Sequence, residues 1–314
     1  MAVRGSKDLN VLRALIARHK LNDYMFSVVG LLATMVGVLV LLVLFFDLLR
    51  DGMPRLGYDF FTSFPSRRAD EAGILSAWVG SVLVMLVTAL CAVPIGVAGA
   101  MYLEEYAPKN WMTNIIEINV TNLAGVPSIV YGLLALGLFV YRLDFGQSIL
   151  TAGLTLGLLI LPVIIVATRE SLRAVPIAIR EAAYALGATR WQMVSNHLLP
   201  YSVGGIMTGI IISLARAIGE TAPIITIGAL TFIAFLPPVP FSAQAEGEPV
   251  AGMFDWLFSP FTVLPIQMFN WVSRPQAAFL ENAAATGVVI LVLTLVMNAF
   301  AISLRYRARK NIKW

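Results

Sequence analysis

Arg216 and Glu220 stand four residues apart inside a long apolar stretch, Leu198–Phe235, with Ser213 and Thr221 close by. On a helix this spacing puts both charges on one face, together with Ser213 and Ala217. The planar fork of arginine meets an oxyanion through two parallel hydrogen bonds, and its charge persists at every physiological pH. Reversible anion binding is therefore the chemistry on offer. Glu220 would hold Arg216 between substrates or accept a hydrogen bond from a protonated oxyanion. A self-neutralising pair that fixes helix packing fits the same two residues. Gly219 and Pro223 are expected to loosen the helix around Glu220, Thr221 and Ala222, freeing backbone groups to line a cavity. A second charged step, Arg169-Glu170, ends the preceding apolar run. It reads as an interfacial anchor, or as the cytoplasmic end of the same anion path.

A different kind of chemistry is suggested by Glu181-Ala182-Ala183, followed by Gly187, Arg190 and then Leu199-Pro200. This is a polar interruption between two apolar runs. Residues Ile177–Asn196 read as short amphipathic helical material, with Gly187 permitting a sharp turn and Pro200 marking entry to the next span. The alanines leave a small, smooth surface that fits a cleft on a partner, and Arg180, Glu181 and Arg190 are placed for ion pairs at its rim. An ordinary charged loop is the plainer alternative.

Several activities are excluded. The five lysines follow no glycine-rich turn of the phosphate-cradling kind, so any ATP and its magnesium must be bound by another subunit. No nucleophile stands with a base, no cluster of metal ligands is spaced for coordination, and Cys91 is the sole cysteine. Neither a catalytic centre, a metal nor a cofactor is expected in this chain.

The elements that must position these residues follow from composition. The chain is 59% hydrophobic and only 13% charged, with mean hydropathy +0.82. Six segments have the roughly 20 apolar residues needed to cross about 30 Å of hydrocarbon: Phe26–Phe46, Ile74–Leu103, Ile118–Tyr141, Phe145–Thr168, Leu198–Phe235 and Asn282–Leu304. These continuous runs predict an all-α membrane protein with six transmembrane helices, not a barrel of short alternating strands. Net charge +4 does not indicate nucleic acid, because the basic residues follow the bilayer. Arg4, Lys7, Arg13, Arg18 and Lys20 precede the first span, and Arg305, Arg307, Arg309, Lys310 and Lys313 follow the last. The positive-inside tendency then puts both termini in the cytoplasm, together with the loop bearing Arg169, Arg173, Arg180 and Arg190. Arg50, Arg55, Arg67 and Arg68 run against it in the first external segment. The first span is too long for a signal peptide and Asp47–Asp51 offers no small-residue cleavage site, so it is expected to be retained. The expected organisation is a cytoplasmic tail (1–25), a first span with its external segment (26–73), a five-span core with a cytoplasmic loop at 169–200 (74–304), and a basic tail (305–314).

Glycines and the prolines Pro94, Pro127, Pro162 and Pro223 predict close helix contacts and kinks. Between Leu236 and Phe279 lie an acidic patch, Glu246 and Glu248, and the aromatics Phe254, Trp256, Phe258, Phe269 and Trp271. An interfacial helix at headgroup level is the favoured reading, with docking of an external protein as the alternative.

Over roughly Ser76 to Leu304, the Glu181–Gly187 loop completed by Leu199-Pro200 resembles the type I permeases of bacterial ATP-binding-cassette importers. His197 stands where that pattern usually has isoleucine. Ala215–Pro223, Leu123–Ser128 and Tyr102–Tyr106 further resemble the phosphate-specific branch of that family, the PstA permeases. The resemblance implies a multi-pass protein of the bacterial cytoplasmic membrane and a coupling role for Glu181, Ala182, Ala183, Gly187 and Arg190. It also implies a homologous second permease (PstC), an ATPase dimer (PstB) that binds ATP and magnesium, and an external phosphate-binding protein (PstS). Carried over by position, Arg216 and Glu220 lie on the substrate pathway. A permease for sulfate or molybdate, or a membrane scaffold reporting phosphate supply to a sensor kinase, remains open at this point.

Overall fold

A computed structural model describes residues 2–229, 232–242 and 250–310, with side chains from His19 to Arg307 within those ranges. Glu246 and Glu248, and the tail from Asn311, lie outside the described residues, as do the side chains of Arg4, Lys7, Arg13, Arg18, Arg309 and Lys310. The regular elements among the described residues are all helical. The chain divides into two compact units, Met1–Asp51 and Gly52–Trp314. The first consists of a single helix, α1 (Ala2–Gly52), whose apolar part is long enough to cross a membrane.

The second unit is a helical bundle. It contains α2 (Tyr58–Thr62), α3 (Leu75–Met101), α4 (Trp111–Leu123), α5 (Ser128–Ala135), α6 (Ile149–Arg173), α7 (Ile177–Ala185), α8 (Arg190–Met193), α9 (Leu199–Gly219), α10 (Ala222–Thr226), α11 (Leu264–Val272) and α12 (Ala278–Lys310). Helix α6 is its spine. Ser148 caps it by accepting from the Thr151 amide, and Ile149, Leu156, Ile160 and Ile164 are buried along it. Helix α3 packs against α6 where glycines let side chains close in: Gly96 faces Ile164, and Gly153 faces Val87. Thr88 Oγ1 donates to the Gly153 carbonyl at 3.2 Å across this seam. In lipid, close packing and such bonds do the work that water-driven burial does elsewhere.

The expected third span, Ile118–Tyr141, is not one crossing helix. It is two, α4 and α5, whose axes bend by 107° at Gly125–Pro127. Proline lacks an amide donor and pushes Val126 out of helical geometry. The bend is stitched by Tyr131, whose hydroxyl donates to the Leu123 carbonyl at 2.7 Å, satisfying an end group that the helix cannot. Among the described residues the bundle therefore has four helical stretches long and apolar enough to cross a membrane and this one broken pair, with α1 a fifth such helix in its own unit.

Helix α9 also ends abruptly. Glu220 takes an extended conformation (ψ 118°), and α10 restarts with Pro223 in its first turn. Helix α5 locks onto α10 here. A Cβ at Gly132 would lie 2.7 Å from both the Cα and the carbonyl oxygen of Pro223. Since backbone atoms cannot swing aside, Gly132→Ala is expected to destabilise the purified protein by about 1–3 kcal/mol. Gly137→Ala, with open space around it, should leave the melting temperature nearly unchanged. Equal melting temperatures for the two variants would disprove the close contact.

On the side of α2 and α11, Phe60, Trp271 and Phe279 form an aromatic cluster, with ring centroids 6.0 and 6.5 Å apart along the chain of contacts. Trp271 is fully buried. Of the aromatics expected on an interfacial helix, Trp271 is turned inward: two residues along a helix turn about 200°, so Phe269 faces out while Trp271 packs on Phe279 of α12. Residues Asp255–Phe258 form only one tight turn. The arginines that ran against the charge rule are partly explained. Arg55 donates to Asn282 Oδ1 and to the carbonyls of Asp70 and Ala72, and Arg68 pairs with Asp70 and Glu71.

Candidate functional site

Arg216 and Glu220 meet at the broken end of α9. The arginine Nε donates to Glu220 Oε1 at 3.1 Å, as the four-residue spacing requires. The arginine side chain is 43% exposed and the glutamate 19%. Thr221 lies at the same break, its hydroxyl donating to the Gly219 carbonyl. Ser213 does not join them. It is fully buried and donates to the Gly209 carbonyl one turn back. Glu220 also borders a cavity of about 10 Å³, the size of one water, shared with Ser81 and Val263. An anion arriving at the exposed guanidinium would therefore find a fixed positive charge whose present partner is a single carboxylate. Exchanging one anion for another keeps the arginine compensated, which is what reversible binding needs.

The Arg169-Glu170 step comes apart in the fold. Arg169 is buried, and its Nε lies 3.3 Å from Glu104 Oε2. Its Nη2 approaches Glu117 Oε1 at 2.6 Å without the alignment of a directed hydrogen bond, so this contact is an ion pair in which charge outweighs angle. Arg173 reaches Glu104 as well, at 2.9 Å. Glu170, by contrast, is 65% exposed and touches Arg173 only at 3.5 Å. Arg169 thus sits in an ion cluster inside the bundle instead of acting as a surface anchor. Its neighbours line a polar cavity of about 340 Å³ that includes Thr121 and Asn122.

The loop after α6 has the expected form. Pro176 sets the start of α7, Gly187 turns the chain at φ +81°, a conformation that favours glycine, and Thr189 opens α8 through reciprocal bonds with Gln192. Ala183 packs inward with Leu172, Val175, Met193 and Leu198, while Glu181 and Ala182 face out. Leu186 is 90% exposed, with Ile177, Tyr184 and Trp191 also outward. The short helix α7 and the turn after it thus present small and apolar side chains away from their own bundle. Arg190 lies over the Tyr106 ring at 5.7 Å, and Arg180 pairs inward with Glu105 at 3.0 Å. Of the three residues expected at a rim, Arg180 is therefore committed to its own chain. Past α8, one wide turn at Val194–Leu198 runs directly into α9, so the loop and the Arg216–Glu220 break are ends of one continuous lever.

Residues 72–310 match the family described as the binding-protein-dependent transport system inner membrane component. The chain belongs to this family. It is thus a multi-pass permease of the cytoplasmic membrane, a transport component whose ATP hydrolysis takes place in a separate subunit. It is 31% identical to the probable ABC transporter permease protein YqgI of Bacillus subtilis strain 168, over 85% of this chain and 89% of that one. It is 31% identical to the phosphate transport system permease protein PstA of Yersinia pestis, over 86% and 85%. The fold is that of type I importer permeases. It superposes with TM-score 0.62 on a chain of a bacterial alginate ABC transporter crystallised with a pentasaccharide-bound periplasmic protein, at 16% identity over 92% of this chain and 96% of that one.

Glu104, Glu105 and Glu117 emerge from the structure as the charged partners of Arg169, Arg173 and Arg180. A signal was present in the sequence. Two adjacent glutamates close an apolar span, and Arg169 and Arg173 stand one turn apart at the end of another.

Proposed function

We propose that this permease forms half of the membrane pathway of an ATP-driven importer of inorganic phosphate, and that α7 with Gly187 is the contact to its motor. The observation that carries the reading is the Arg216–Glu220 pair at the broken end of α9, in a permease whose relatives include proteins named as phosphate permeases. Arg216 offers a phosphate the two-pronged donor that oxyanions favour. Glu220 accepts a hydrogen bond from a P–OH group, which dihydrogen phosphate has and sulfate lacks. Thr221 adds a hydroxyl at the same break. Arg169 and the polar cavity beside it lie towards the cytoplasmic end of the path.

The partners follow from this reading. A second permease of the PstC type completes the pathway, a dimeric PstB-type ATPase binds ATP and magnesium, and an external PstS-type protein delivers phosphate. ATP binding closes the motor, Glu181, Ala182, Ala183 and Arg190 receive the motion, and the lever from α8 into α9 carries it to Arg216. Contacts in the pathway must be weak enough to release the anion inside, so tight selection rests with the delivery protein.

Competition against ATP-driven uptake of labelled phosphate by the complex in proteoliposomes tests the assignment. Unlabelled phosphate should abolish the signal, and an excess of sulfate or molybdate should leave it intact. Labelled sulfate or molybdate entering in preference to phosphate would move the substrate to another oxyanion. ATP-independent behaviour with no anion movement would leave only a scaffold role.

A further inference from the structure

Glu104 and Glu105 are adjacent in sequence yet hold arginines from two different elements. Glu104 takes Arg169 and Arg173 of α6. Glu105 takes Arg180 of α7, whose guanidinium also donates to the Leu172 carbonyl at the end of α6. Both glutamates sit in Tyr102–Tyr106, a widened helical turn that closes α3, sealed by the Ala107 amide donating to the Tyr102 carbonyl. Turns of this kind are rare and concentrate where function has bent the helix ladder.

We propose that this glutamate doublet is a transmission joint, a second route by which displacement of α7 reaches the pathway, besides the covalent lever through α8. The proposal rests on the reading of α7 as the motor contact. Exposure separates rigid links from slack ones. The side chains of Glu105 and Arg180 are only 10% and 20% exposed, and those of Glu104 and Arg169 16% and 8%. Where water cannot replace a departing partner, opposite charges move together. The Arg173–Glu170 contact, at 46% and 65% exposure, has no such constraint.

From the joint, each onward step is a contact in the fold. Arg169 is held by Glu117, which moves α4. Helix α4 is stitched across its bend to α5 by Tyr131 and Leu123. Helix α5 bears on α10 where Gly132 meets Pro223, and α10 begins directly after Glu220 and Thr221. The pull on α7 thus arrives at both ends of the Arg216–Glu220 break, along α9 from one side and through α10 from the other. Glu105 and Arg180 are positioning residues in this scheme and touch no substrate.

The decisive quantity is phosphate taken up per ATP hydrolysed by the full complex in proteoliposomes, with retention of the ATPase subunit followed by co-purification. Glu105→Gln and Arg180→Gln are each expected to lower that ratio about tenfold, within the usual span of coupling factors, with the ATPase subunit still bound. A lowered ratio with the ATPase subunit still bound is the readout that a merely structural role would not move. An unchanged ratio in the single variants overturns the joint. If a single variant fails to assemble, the double variant Glu105→Gln with Arg180→Gln strands no charge and takes its place. A normal ratio from that double variant overturns the joint equally. Glu181→Arg, on the outward face of α7, separates the two ideas: it should release the ATPase subunit, and full retention would refute α7 as the motor contact while leaving the ratio measurements standing.

Discussion

Arg216→Gln is expected to lower ATP-driven phosphate uptake by the reconstituted complex about 10- to 100-fold, because a charge-assisted hydrogen bond is worth about 1.5–3 kcal/mol and each 1.4 kcal/mol is a factor of ten. The substitution keeps two amide donors and much of the side-chain length, so what it removes is the fixed charge. Folding should register the change less than loss of a buried pair would. The arginine is 43% exposed, although Glu220, at 19%, is left with no ion-pair partner. Loss of uptake in an intact, ATPase-bound complex would place Arg216 on the anion path or at its gate. Arg216→Lys makes the reading sharper: it restores charge without the fork, and uptake between that of the wild type and that of Arg216→Gln is expected. Wild-type uptake in Arg216→Gln would make the residue a structural charge and send the pathway elsewhere.

The Arg216–Glu220 pair was legible in the sequence because it is local. A spacing of four residues on a helix determines who meets whom, and Gly219 with Pro223 marks where that helix must stop. Gly187 was legible for the same reason, since a turn with positive φ is a property of a few neighbouring residues. The ion cluster was not. Arg169 meets Glu104 and Glu117 from 65 and 52 positions away, and only the packing of α3, α4 and α6 brings them together. Its local appearance, Arg beside Glu at a span's end, pointed to an anchor. Hydropathy found the apolar third segment but not its bend, because it measures how apolar a segment is and not which way it runs. The apolar count across Ile118–Tyr141 stays high through Pro127, though the axis turns by 107° there. Trp271 was misplaced by a similar shortcut. Aromatic content suggested an interface, whereas the helical phase of residues 269 and 271 divides one from the other.

Both broken helices point to how the fold reconciles rigidity with movement. In an unbroken span, each backbone bond resists a local change of direction. Where α9 stops at Gly219 and α4 stops before Pro127, the helical ladder is interrupted and the end carbonyls are held instead by a few local bonds, Tyr131 to Leu123 and Thr221 to Gly219 among them. The two breaks are joined through the contact of Gly132 with Pro223, so a change of direction at one is passed to the other, while α6 packs against α4, α5 and α10 alike.

Arg169→Gln should be the most destabilising of the single substitutions considered, at about 3 kcal/mol, the lower end of the range for removing one partner of a buried ion pair. Two features set the lower end. Glu117 is 31% exposed and can turn towards water, and Glu104 keeps Arg173. What remains uncompensated is the Glu117 carboxylate, now facing Glu104 across the space the guanidinium filled. The expected result is a marked fall in melting temperature and in the amount of permease recovered from membranes. Removing the opposing charge as well should undo most of this. Arg169→Met combined with Glu117→Leu replaces an ion pair by apolar volume, an exchange often neutral or better for stability. That double variant should therefore recover the melting temperature while still transporting poorly, since α4 would no longer be tied to α6 by charge. If Arg169→Gln instead melts as the wild type does, the cluster is open to water, and its pairs are ordinary surface contacts. If the double variant melts like Arg169→Gln, the loss lies in packing around the long arginine stem and not in stranded charge.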